Sequence, residues 1–464
     1  MARRVDLSLD GLAALGAEKL AALILEETEA NAAFAKRAKA ALTGAQGVDA
    51  VAGLIDRRLT ALERARGMVD WKKERAFAAD LGATVDTILG ELGQRSPLLA
   101  AQKLLRFIDS HVTVFERIDD SNGRIQDVYW RAAEMLPEIM QKLPMDERDW
   151  LPDRLLASLA KDTHGLARNI SVAVAPLLPV PVLVTWDAAL RVIETADNAV
   201  FDVRQAIADA RGDVDEYLAL ETRKPAWRQN PLEAAERLRA AGRLGEALKW
   251  VRGERKGGLA FATQGDIADG RIQKLHDLEK VKLEARILDE MQDRKAAQAL
   301  RWAAFETTLN ADLLREYLRK LDDFIEHEEQ ERAFAVAAAS EHVYSALGFF
   351  IAWPKLDWAA KLVLDKHQIW DGKHYGSLPD AAAALEHDFP VAATVLYRAL
   401  LDNILARAKS QAYGHGARYL TRLAALGAHL PGGGAVETHE AYLARVKQKH
   451  GRKTGFWNQV SGKI

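Results

Sequence analysis

Apolar residues recur along most of the chain at spacings of three and four, which places them on one stripe of an α-helix. Over residues 11–42, Leu12, Leu15, Leu20, Leu23, Ile24 and Phe34 keep this spacing among Ala, Glu and Lys, all good helix formers, and Ser8 and Asp10 stand before them as caps. Val51, Leu54, Ile55, Leu59 and Leu62 predict a second helix over 48–66. A third is expected over 69–92, broken at Gly82. Ser96-Pro97 closes this group, since proline suits a first helical turn but not an interior one. The pattern resumes at Leu98, breaks at Asp119-Asp120-Ser121-Asn122-Gly123 and returns through Val128, Tyr129, Ala132, Met135 and Leu136. Further helices are expected over 154–166 and 186–211, the latter stopped by Gly212-Asp213.

The clearest unit spans 231–253. Pro231 opens a helix with the stripe Ala234, Ala235 and Leu238; Gly242 permits a turn; Leu244, Ala247, Leu248 and Val251 form the returning stripe. Two more hairpins are expected, 283–300 with 311–324 and 389–408 with 417–426. Their lengths differ, and no strict repeat of roughly 34 residues connects them. Hardly any stretch alternates polar and apolar residues with β-branched enrichment, so a sheet has little to be built from. The expected fold is all-α: an irregular tetratricopeptide-like or α-solenoid array of antiparallel helical hairpins. Its parts are an N-terminal helical subdomain (1–95), a central helical region (96–230), the hairpin array (231–430) and a basic C-terminal capping helix and tail (431–464). One superhelix and two compact bundles both fit the pattern.

Composition removes several chemistries. With 49% hydrophobic and 28% charged residues the chain is of ordinary globular type, not disordered or fibrous. It has no cysteine, which excludes disulfides, iron–sulfur clusters, thiolate zinc sites and cysteine nucleophiles. A net charge of −2 leaves no global field to draw in nucleic acid or a membrane. Near the N-terminus Arg3 and Arg4 soon meet Asp6 and Asp10 with no secretory-type apolar core, so a cytoplasmic location is expected. The most apolar stretch, 170–186, is short of a bilayer span and contains Pro176, Pro179 and Pro181. We read it as a buried junction, with a membrane-contacting or ligand-gating segment as the competing reading.

Candidate catalytic groups are scattered. Nine of the twelve histidines lie from His327 onward, on several predicted helices, and neither His327-Glu328 nor His439-Glu440 has a second histidine four residues after the first. Asp371 and His374 are close enough in sequence to meet across one turn. Paired carboxylates such as Asp322-Asp323 read as solvated helix edges rather than as an acid–base pair. The acidic turn at 119–123 lacks the spacing and the final glutamate of a calcium loop. GERKGGLA at 253–260 has no preceding strand and no Ser or Thr for magnesium, and the glycine run at 432–434 after Pro431 reads as a linker. No cofactor or metal is expected. Trp353, Trp358 and Trp370 with Phe349 and Phe350 form an aromatic concentration that either fills the gaps between helices or lines a pocket.

The basic C-terminus stands out. Val436, His439, Tyr442, Leu443 and Val446 make one helical face, while Arg445, Lys447, Lys449, Arg452 and Lys453 concentrate positive charge beside Phe456 and Trp457. Three roles compete here: a cap whose apolar face closes the array with Phe456 and Trp457 as its plug, a protein-binding surface, and a nucleic-acid contact in which cations meet phosphate and aromatic rings stack on bases.

Three segments carry a family resemblance: LSLDGLAALGAEKLAALILE, PLEAAERLRAAGRLGEALKW, and LYRALLDNILARAKSQAYGHGARYL with HEAYLARVKQKHGRKTGFW. Through them the chain resembles, over nearly its full length, an uncharacterised alphaproteobacterial family of helical, tetratricopeptide-like proteins. The last two are also similar to the helical region that follows the zinc finger in some SWIM-domain proteins. The SWIM cysteine ligands are missing, so zinc does not carry over. The resemblance implies a helical fold and supplies no catalytic residue.

The leading functional expectation is a cytoplasmic scaffold or adaptor that holds a protein or peptide in the groove of a helical array, with Arg237, Arg239, Arg243, Lys249, Arg418 and Tyr419 as polar contacts. Nucleic-acid binding through Arg445, Lys447, Lys449, Arg452, Lys453, Phe456 and Trp457 is the first alternative. An enzyme with a pocket gathering His342, His367, His374 or His415 is the second.

Overall fold

The computed structural model describes residues 7–193, 198–253, 271–430 and 436–461; most of GERKGGLA and the glycine run at 432–434 lie outside the described residues. The chain divides into two compact units, Met1–Gln229 and Asn230–Ile464. Both are helical, and among the described residues the only β pairing is one isolated bridge between Val69 and Ile118.

The first unit contains α1 (Leu9–Ala13), α2 (Ala17–Ala30), α3 (Ala32–Gly44), α4 (Val48–Arg64), α5 (Glu74–Thr87), α6 (Pro97–Asp109), α7 (His111–Phe115), α8 (Arg124–Gln141), α9 (Leu151–Leu159), α10 (Leu166–Val174), α11 (Val180–Val192), α12 (Asn198–Ala210) and α13 (Val214–Arg223). A single apolar cluster runs from Val51 and Ile55 on α4 through Leu104 on α6, Tyr129 on α8 and Leu155 on α9 to Ile207 on α12. It passes residue 95 without a gap.

Local chemistry explains where the helices depart from the sequence expectation. The stretch 11–42 is three helices, because Gly16 takes φ +80° and Asn31 leaves the helical conformation, its side chain accepting the Phe34 amide as a cap. α5 runs through Gly82 unbroken, since an interior glycine costs about 1 kcal/mol and Leu81 and Val85 are buried on either side of it. The acidic turn at 119–123 is a helix start: both oxygens of Asp120 accept backbone amides, from Ile125 (3.0 Å) and Gln126 (2.8 Å). The three-proline segment is only half enclosed, with Leu178, Leu183 and Trp186 buried and Val180 and Val184 exposed.

The second unit contains α14 (Pro231–Ala240), α15 (Leu244–Arg252), α16 (Arg271–Glu290), α17 (Arg294–Thr308), α18 (Ala311–Leu318), α19 (Asp323–Ala339), α20 (Val343–Ala352), α21 (Leu356–Asp365), α22 (Leu378–Leu385), α23 (Pro390–Ala406), α24 (Tyr413–Gly427), α25 (His439–His450) and α26 (Thr454–Ser461). Consecutive helices pack as neighbours, α14 on α15, α16 on α17, α23 on α24. The hairpin predicted from 283 onward is therefore shifted: its arms are α16 and α17, turning at 291–293. Phe305, Phe334, Phe349 and Phe350 are fully enclosed at ring-centroid separations of 5.3–6.3 Å, and Trp353 and Trp358 pack against them. The aromatic concentration is core.

Four hairpins turn in the same way. In the three-residue links 211–213, 241–243, 291–293 and 353–355, the last amide reaches back five residues: Asp213 to Ala208 O (2.8 Å), Arg243 to Leu238 O, Asp293 to Leu288 O and Lys355 to Phe350 O (2.9 Å each). This is the Schellman closure, which satisfies the free carbonyls of a helix end and needs a left-handed residue. In the first three links Gly212 (+67°), Gly242 (+75°) and Gln292 (+65°) supply it. Asp213 and Asp293 then also cap the next helix, accepting from Glu216 N and Ala296 N.

Candidate functional site

The C-terminal end of the second unit is assembled from α24, α25 and α26. Two glycines on α24 let the helices approach: a Cβ on Gly416 would sit 3.1 Å from the Phe456 ring, and one on Gly427 would sit 2.9 Å from His439 Cβ. Thr438 caps α25 by accepting the Ala441 amide. Tyr442, Val446 and Phe456 then enter the core, and Tyr442 donates its hydroxyl to Asp402 (2.8 Å). The guanidiniums of Arg398 and Arg445 lie 4.5 and 4.9 Å from the Tyr442 ring centre. Burial, reinforced by Asp402, pushes the Tyr442 phenol far up.

Between these helices lies a groove of about 600 Å³. Leu420, Ala424, Leu443, Trp457 and Val460 line it with apolar surface; Thr421, His439 and Lys447 are its polar side chains. The Trp457 indole is held by a hydrogen bond to His450 O (3.0 Å). His439 Nδ1 is buried without a partner, and burial together with the charge of Arg398 lowers the imidazole's pKa. Burial and the charges of Lys453 and Lys449 lower that of His450. Both shifts favour the uncharged imidazole.

The five C-terminal cations divide by their partners. Arg445 pairs with Glu437 (2.8 Å) and Asp402 (3.6 Å). Lys447, Lys449, Arg452 and Lys453 have no carboxylate within ion-pair distance among the described residues, and all but the half-buried Lys453 are exposed. Phe456 is fully buried against Tyr413 and Trp457, so its ring is not presented to any ligand.

The other expected contacts are placed less openly. Arg237 pairs with Glu233 within α14, Arg243 with Glu246 at the start of α15 (2.8 Å), and Arg239 with Glu236 and with Glu290 (2.7 Å each), so Arg239 ties the hairpin to α16; Lys249 is exposed. Arg418 is exposed beside His415 (2.9 Å), and Tyr419 is half-buried, its ring 5.5 Å from that of Tyr397. Sequence reasoning missed the constellation next to them, in which Tyr397 donates to Glu386 while Arg422 donates to Glu386 and to the Tyr397 hydroxyl. No motif announces it, because its members come from three helices.

Asp371 and His374 are occupied structurally. The Asp371 carboxylate accepts from Lys373 N (2.9 Å) and Asn403 Nδ2 (3.2 Å), while His374 stacks on Tyr344 at 3.8 Å. The Lys373 amide and ammonium hold the Asp371 carboxyl below its ordinary range. Among the described residues no group of three or more metal-binding side chains converges, and no helix is long and apolar enough to cross a membrane.

Compared with known proteins, the chain matches the family of unknown function DUF6880 over residues 2–201 and 194–459. No curated protein and no solved structure matches it.

Proposed function

As the chain belongs to DUF6880, whose description assigns no activity, the reading rests on geometry, and we propose that the protein is a cytoplasmic interaction scaffold. Its tetratricopeptide-like hairpins support a binding surface at the C-terminal end, and the groove of α24, α25 and α26 receives a segment of a partner protein. The observation that carries this reading is an apolar groove of about 600 Å³, lined by Lys447 and followed along the tail by Lys449, Arg452 and Lys453, none of the four having a carboxylate within ion-pair distance among the described residues. A helical or extended segment with apolar anchors and flanking carboxylates is complementary to it in both respects. Arg418 and Tyr419, also on α24, are secondary contacts in this proposal. Enclosure of Phe456 removes that ring from base stacking.

A photo-crosslinking residue at Leu443, in cell extract with and without nuclease, tests the proposal. The expected result is a nuclease-resistant protein adduct that is lost when Lys447, Lys449, Arg452 and Lys453 are all changed to Glu. A nucleic-acid adduct, or equal adduct yields from both versions, overturns it.

A further inference from the structure

The opposite end of the chain carries the complementary surface. No described residue of α1 or α2 is buried. Leu9 (85% exposed), Leu25 (66%), Leu23 (47%) and Ile24 (43%) all face solvent, an apolar surface of the kind that marks an interaction site. The same segment is acidic: residues 1–30 hold six carboxylates against three basic side chains, and Glu18, Glu26, Glu27 and Glu29 of α2 have no cationic partner within ion-pair distance among the described residues. From His439 to Ser461 the balance is reversed, with five basic side chains against one glutamate.

We infer that the groove of α24, α25 and α26 receives the acidic amphipathic helix α2 of a second copy of this chain, an inference that rests on the groove reading above. Leu23 and Ile24 are its apolar anchors, and Glu26, Glu27 and Glu29 meet Lys447, Lys449 and Arg452. The groove lies within the range of about 300–1,000 Å³ that ligand pockets span, which suits a few side chains of one helix rather than a domain. Because the two surfaces are different patches, the contact is head-to-tail, and a pair joined by one such contact leaves one arm and one groove open. Association therefore extends beyond the dimer as concentration rises.

Sedimentation equilibrium of the full chain from low to high micromolar concentration tests this. The expected weight-average mass rises from the 51.3 kDa monomer to more than twice that value. The arm variant E26K/E27K and the groove variant K447E/R452E, both altered only at exposed positions, are each expected to remain at monomer mass. Their equimolar mixture regains association, because each reversed surface meets its match. A monomer at every concentration, association that neither variant disturbs, or a mixture that stays monomeric overturns the inference. A monomeric wild type whose Leu443 still forms its protein adduct overturns only the second-copy assignment; loss of that adduct as well overturns the groove reading.

Discussion

Arg204, 2% exposed, answers two carboxylates at once: its Nε donates to Asp187 Oδ1 (2.7 Å) and its terminal nitrogen to Glu216, while Arg191 closes the set by binding the same two acids. Burial works against the Asp187 charge, but the guanidiniums of Arg204 and Arg191 outweigh it and hold the carboxyl below its ordinary value. Replacing Arg204 with Met takes from Asp187 its buried partner and leaves it held by the half-exposed Arg191, and is expected to cost about 3 kcal/mol at pH 7, measured by urea unfolding. A folded pKa below the unfolded one gives stability that is present above the ordinary carboxylate value of about 4 and is lost as pH falls through the depressed one. Wild type should therefore weaken on acidification while the variant recovers part of its deficit; parallel pH profiles would contradict the account. Gly372 is a second point of control, because a Cβ there would lie 2.2 Å from the backbone oxygen of Ala399. Gly372→Ala is expected to cost about 1–3 kcal/mol through forced backbone movement. Gly245→Ala, in open space within α15, should instead gain about 0.5–1 kcal/mol from helix propensity.

At the scale of elements, the shared hairpin turn invites a paired test. Gln292 sits at φ +65° where Gly212 and Gly242 occupy the equivalent positions. Gln292→Gly should stabilise by about 1 kcal/mol and Gly242→Ala destabilise by a similar amount, because only glycine enters the left-handed region without a Cβ penalty. Equal stabilities in denaturant titration would mean that the turns are not set by this residue. The C-terminal helices allow a sharper division. Phe456→Ala removes a fully buried ring and is expected to cost about 3–5 kcal/mol, whereas charge reversal at exposed Lys447 and Arg452 should change stability by no more than about 0.5 kcal/mol. The tail is thus core on one face and available surface on the other. The periodicity showed this face of α25 through Tyr442 and Val446, and the capping reading placed Phe456 inside as a plug, as its full enclosure bears out. That enclosure depends on Gly416, forty residues away, leaving room for the ring.

Across the whole molecule, each of the two units has its own apolar cluster, one running from Val51 to Ile207 and the other from Trp302 to Val460. Separate cores are expected to give two calorimetric transitions. Arg204→Met should lower one and Phe456→Ala the other; a common shift of a single transition would show that the units unfold together.

Helix content, the tight hairpin at 231–253 and the basic C-terminus were legible in the chain because each depends on neighbours within a few turns: stripe spacing, a glycine at the turn, a cluster of like charges. Tertiary structure decided which stripes were buried. The leucines of α2 and of α4 have similar spacing, yet Leu23 is exposed and Ile55 is not, because only α4 is enclosed by α5 and α6. It also decided which cations were neutralised, as an arginine's partner comes from whichever helix packs beside it. Arg239 reaches Glu290 across 51 residues, and among the described residues no carboxylate comes within ion-pair reach of Lys447. Ion pairing and burial are properties of distance in space, and sequence spacing reports that distance only within one helix and its immediate turn.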